Sequence, residues 1–121
     1  MRLALALIAA LAIAAPAIAQ QGGVIRSVSG DRCSGTIAAA NTSQVASSGD
    51  NSRLWLTVQN PPSATEPLYV DFGPNHPASS TLSTELAPGG SINFLAGVVP
   101  MGQVNVSAAT VGHRFVCYAG R

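Results

Sequence analysis

Hydrophobic and polar residues alternate along most of this chain. In RLWLTVQNPP, Arg53 to Pro62, Leu54, Leu56 and Val58 fall on one parity and Trp55, Thr57 and Gln59 on the other. Leu68, Val70 and Phe72 alternate with Tyr69 and Asp71. Ile92 and Phe94 flank Asn93, and Val104, Val106 and Ala108 flank Asn105 and Ser107. Successive side chains leave a strand on opposite sides, so a period of two marks strands with one buried face. The pattern predicts Leu54, Leu56 and Val58 as a core face, which turns Trp55 outward. Tyr69 has the same outward parity in the next strand.

The segment HRFVCY, His113 to Tyr118, is apolar on both faces at its centre. It predicts a central strand, or one whose outer face is covered. Val24–Val28 and Cys33–Ala39 carry weaker strand signals, and Ser43–Ser52 reads as a loop. Turns are expected at Asn60-Pro61-Pro62, Gly73-Pro74-Asn75, Pro88-Gly89-Gly90 and Gly112, where proline and glycine take backbone angles that strands do not hold. Asn60 can bond its own backbone two residues on, and Pro61 keeps it extended. Beyond the amino terminus no long segment repeats at 3.6 residues. The expected fold is all-β, a small antiparallel β-sandwich of about seven to nine short strands, with a small barrel as the near alternative.

The amino terminus differs. MRLALALIAALAIAAPAIAQ places one arginine before an apolar run from Leu3 to about Ala15, then Pro16 and Ala17-Ile18-Ala19. That is the layout of a secretory signal peptide, and the run is short for a membrane span. The expected organisation is a signal over 1–19 and one β-sandwich domain over 20–121, in a periplasmic or secreted protein not inserted in a membrane after cleavage.

Charge narrows the partners. After the signal, Arg26, Arg32, Arg53, Arg114 and Arg121 balance Asp31, Asp50, Glu66, Asp71 and Glu85, and the chain has no lysine. Nucleic acid and anionic membranes are held mainly through phosphate charge, so a neutral surface argues against both. The two cysteines, Cys33 and Cys117, most simply pair in an exported chain, tying the start of the domain to its last strand.

Asn51-Ser52-Arg53, Leu56-Thr57-Val58-Gln59-Asn60-Pro61, Leu68-Tyr69-Val70-Asp71-Phe72-Gly73, Leu86-Ala87-Pro88-Gly89-Gly90-Ser91, Val99-Pro100, Val104-Asn105-Val106 and Gly112 follow one another in order. This order resembles small, mostly uncharacterised β-sandwich proteins of phage and prophage genomes. The resemblance covers Asn51 to Gly120 and rests on turn and strand residues. It implies a virion-associated or structural accessory module rather than an enzyme. The export signal and cysteine pair are additions to that pattern and point to an exported relative.

Reactive constellations are sparse. His76 lies in Gly73-Pro74-Asn75-His76-Pro77 with no acid adjacent in sequence, and no serine sits in a nucleophile elbow. No catalytic, cofactor-binding or metal-binding residue is assigned. Met101, His113, Cys117 and His76 are the ligand types of a blue-copper centre, but their order differs from the Cys-His-Met loop of such proteins, and pairing of Cys117 removes the thiolate. Arg53 is expected to bond loop carbonyls or an acid such as Asp71. The outward aromatics carry the functional promise. If the Trp55 and Tyr69 strands form a hairpin, the two rings share a face, and Tyr118 joins them if the last strand is adjacent. Such a surface can stack on sugars or anchor a protein, since Trp and Tyr dominate hot spots. The same rings can instead serve only to pack across strands. The expectation is a non-catalytic binding or structural module without a cofactor. Its partner is an unknown protein or glycan, and its oligomeric state is open. A carbohydrate-binding module and a small periplasmic metalloprotein are the alternatives.

Overall fold

The structure is a computed structural model that describes Gly30–Arg121; the signal-like segment and the Val24–Val28 expectation lie outside these residues. The described residues form nine strands: β1 (Gly30–Arg32), β2 (Gly35–Thr36), β3 (Gln44–Ser47), β4 (Trp55–Gln59), β5 (Leu68–Phe72), β6 (Thr84–Leu86), β7 (Ser91–Phe94), β8 (Val104–Ser107) and β9 (Arg114–Gly120). They build two antiparallel sheets. Sheet one has the order β1-β9-β4-β7, with β2 also pairing along β9; sheet two has the order β3-β8-β5-β6. This is the small all-β sandwich that the period of two predicts.

The alternating parity becomes the core. Leu56, Val58, Phe115 and Cys117 of sheet one pack with Leu68, Val70, Leu86, Val104 and Val106 of sheet two, all buried. Burying a Val, Leu or Phe side chain contributes about 1.5–3 kcal/mol. Phe72 on β5 and Phe94 on β7 bridge the sheets edge to face, with ring centroids 5.2 Å apart.

The sequence reading needs correction at three places. Leu54 is not core: it precedes β4 and is 39% exposed, because Arg53 turns inward beside it and takes the buried position. Ser43–Ser52 is not all loop. Gln44–Ser47 pairs with β8 as an edge strand, and a register shift between Val45 and Ser47 disguises its alternation. Cys33–Ala39 supplies only the short β2. The ladder breaks at Ser34, whose Oγ donates to the Cys117 carbonyl at 3.0 Å and accepts from the Cys117 N–H at 2.9 Å.

β9 is central, as its apolar pattern implies, between β4 and the β1/β2 edge. The strand buried on both faces is instead β8, whose outward Asn105 and Ser107 are 3% and 2% exposed. Asn105 lies under the β5–β6 connection and donates to the carbonyls of Gly73 and His76 at 2.8 and 2.9 Å. Gly73, at φ 115°, lets the chain turn back over the sheet there.

Cys33 and Cys117 form a disulfide within sheet one, beside the Cys33 N–H bond to the Cys117 carbonyl at 2.9 Å. It closes a loop with a sequence separation of 84. In the chain-entropy picture such a loop contributes about 4–5 kcal/mol. The Cys33→Ser, Cys117→Ser double variant is expected to melt roughly 15–40 °C lower by calorimetry. An unchanged midpoint would mean that the sheets hold without the bridge.

Candidate functional site

β4 and β5 do not form a hairpin. β4 pairs with β7 and β9, whereas β5 pairs with β6 and β8. Trp55 and Tyr69 therefore sit on opposite outer faces of the sandwich. Tyr69 stands between Ser107 and Glu85 on sheet two. Trp55 and Tyr118 share the outer face of sheet one, since Trp55 opposes Gly120, Thr57 opposes Tyr118, and all four have one parity.

Register defines this face row by row. The first row is Gly30, Gly120 and Trp55. The second is Arg32, Tyr118, Thr57 and Asn93. Arg32 stacks its guanidinium 5.8 Å from the Tyr118 ring centroid, within the range of a cation–π contact. Thr57 Oγ1 donates to Asn93 Oδ1 at 2.9 Å. Further along β9 come Val116, opposite Gln59, and Arg114, opposite Thr36.

The indole of Trp55 extends over its neighbours rather than into solvent. A Cβ built on Gly120 would fall 2.0 Å from the indole Nε1, and one built on Gly30 would fall 3.3 Å from Cζ2. The ring thus occupies the space that side chains on β9 and β1 would fill. An aromatic covering cross-strand glycines shields exposed backbone and restores the packing that glycine lacks. The two glycines are the signal that sequence reading missed, because their pairing with position 55 spans the whole domain. Gly120→Ala is expected to push the indole off the sheet, destabilising the domain by about 1–3 kcal/mol. A red-shifted tryptophan emission and a lower melting point check this; an unchanged spectrum and midpoint would contradict it.

Arg53 is a frame residue. It is 1% exposed, and its guanidinium donates to the carbonyls of Pro100 (2.6 Å), Gly102 (3.0 Å) and Ser48 (2.8 Å) and to Ser47 Oγ (3.2 Å). The expected carbonyls are its partners; Asp71 is not. Its Nε is buried without a partner. Burial lowers the Arg53 pKa, and nearby Asp50 opposes that shift.

Asp50 accepts from Ser52 Oγ at 2.6 Å and from the Ser52 N–H at 2.9 Å, and meets Arg121 Nε at 3.1 Å. The Ser52 bonds, seconded by Arg121 and Arg53, hold its carboxyl below the usual carboxylate range. A depressed folded pKa gives stability that is present above the unfolded value of about 4 and is lost as pH falls through the folded value. Asp50→Asn is therefore expected to flatten the acid limb of the melting-temperature profile below about pH 4. A limb as steep as that of the parent protein would contradict this.

The histidines are bound up in separate networks. His113 lies between Asn60 Oδ1, 3.0 Å from Nε2, and Glu66 Oε1, 3.2 Å from Nδ1. Glu66 also accepts from the Thr110 N–H and hydroxyl, both at 2.9 Å. His76 has an acid that local sequence did not reveal: Asp71 Oδ1 is 3.6 Å from its Nδ1 across the Gly73 turn. Ser83 Oγ donates to Asp71 Oδ2 at 3.0 Å, so the serine meets the carboxylate rather than the imidazole. The blue-copper ligand types do not converge. Cys117 is bonded to Cys33, and among the described residues no three His, Cys, Asp or Glu side chains gather within metal-binding reach.

The fold and this face define an antiparallel β-sandwich with one polar-aromatic sheet face. No family model, curated protein or solved structure matches the chain.

Proposed function

We propose that the chain is an exported, non-catalytic binding module, that its ligand surface is the outer face of sheet one, and that its ligand is a glycan. One observation carries the reading: this face sets Trp55, Tyr118 and Arg32 beside hydroxyl and amide groups, while on the opposite face the inner strand β8 is covered by the β5–β6 connection. Sugars present apolar ring faces rimmed by hydroxyls. Aromatic rings with adjacent hydrogen-bonding side chains complement both features. Export is supported by the signal-like amino terminus and by the disulfide. The resemblance to phage β-sandwich proteins agrees with a module that is not an enzyme. It rests on frame residues such as Arg53 and Asn60, both buried, and so bears on the frame rather than on the partner.

Tyr118→Ala is expected to weaken glycan binding at least tenfold while leaving the melting point within a few degrees. Tyr69→Ala, on the far face, should bind as the parent does. Glycan-array profiling followed by titration of the hits checks both. Binding lost in Tyr69→Ala and kept in Tyr118→Ala would move the surface to sheet two.

A further inference from the structure

The geometry points to an acidic glycan as the ligand, its carboxylates held by Arg32 and by Arg114 along the groove beside Tyr118. This rests on the glycan-binding reading above and names the sugar class.

The groove has a volume of about 330 Å³, at the lower end of the range for small-molecule sites. Tyr118, Val116 and Gly35 line it, with Thr36 and Ser34 as polar groups and Arg32 and Arg114 as its charges. No Asp or Glu lines it.

Accounting for the charges among the described residues singles out these two arginines. Arg53 is buried on loop carbonyls. Arg121 meets Asp31 and Asp50, each at 3.1 Å. The chain has five acids, all within the described residues. Asp31 and Asp50 are committed to Arg121, Glu66 to His113 and Thr110, and Asp71 to Ser83 and His76. Glu85 lies on β6 in the other sheet. Arg32 and Arg114 thus form no ion pair with any acid of the chain, and both are exposed on one groove. A guanidinium offers a fork of donors that fits a carboxylate in bidentate fashion.

The shape of the ligand follows from the surroundings. Arg32 is stacked on Tyr118, so a carboxylate bonded to it sits at the rim of the aromatic platform. A uronic acid carries its carboxylate on a ring carbon. It therefore places a sugar ring over the Tyr118 and Thr57 row while its acid group reaches Arg32, and Arg114, four residues along β9, meets the acid group of a neighbouring sugar.

The test titrates the exported, disulfide-bonded chain with three uronate polymers, oligogalacturonate, alginate and hyaluronan, at physiological salt. Methyl-esterified oligogalacturonate and poly-L-glutamate serve as comparators. The expected result is binding to at least one uronate, at least tenfold weaker to its neutral ester, and weakened at least tenfold in Arg32→Gln and in Arg114→Gln. Both arginines are exposed, so the variants should melt with the parent. Equal affinity for acid and ester, or unimpaired arginine variants, would overturn the carboxylate assignment; if Tyr118→Ala still abolished binding, the sheet-one reading would stand. Poly-L-glutamate bound as tightly as the uronates would overturn the glycan class. Binding to none of the three uronates would overturn the inference, and failure on neutral glycans as well would take the broader reading with it.

Discussion

The side chain of Asn60 fixes the point where the chain leaves one sheet for the other. It is fully buried, and all of its polar groups are used. Its Nδ2 donates to the carbonyls of Glu66 and Leu86, both at 2.9 Å, and its Oδ1 meets His113 at 3.0 Å. Its backbone N–H bonds the Gly90 carbonyl, and its own carbonyl accepts from Gly89. A buried amide left unpaired costs about 1–3 kcal/mol, so a fully satisfied one strongly favours the single chain path that satisfies it. At the other end of β4, the terminal guanidinium nitrogens of Arg53 tie down the β3–β4 and β7–β8 connections, although its Nε has no partner. One strand is thus held at both ends by buried polar side chains.

That path sorts the aromatic residues. Because β4 stays in sheet one and β5 enters sheet two, Trp55 and Tyr69 face opposite ways. Because β9 returns beside β4, Tyr118 comes to the Trp55 face, and the disulfide holds the β1/β2 edge against β9. Arg32 arrives with that edge. The face proposed for binding is therefore assembled from both ends of the domain. Its one large ring, Trp55, serves the frame as well, by covering Gly30 and Gly120.

Features confined to one strand were legible in the sequence; features needing a pairing partner were not. The buried parity of Leu56, Val58, Leu68 and Val70 reads directly from a period of two, as does the outward direction of Trp55. The cysteine pairing follows from a count of two together with the signal-like pattern of the amino terminus. Leu54 misleads because its parity is right, yet the strand begins one residue later and Arg53 takes the interior. Ser43–Ser52 hides an edge strand because a bulge breaks the alternation. The partnership of Trp55 with Gly120 and the stacking of Arg32 on Tyr118 depend on register across most of the chain, which no local pattern encodes. Asp71 beside His76 is a tight-turn contact, invisible without the turn's shape.

The central claim is that the crossing at Asn60 puts Trp55 on the β1-β9-β4 face, over two glycines, and Tyr69 on the opposite side. Nuclear Overhauser spectroscopy of the indole ring tests it directly. The account predicts cross-peaks from the Trp55 indole protons to the α protons of Gly30 and Gly120, and none to the Tyr69 ring. Cross-peaks between Trp55 and Tyr69, without those to the glycines, would contradict it.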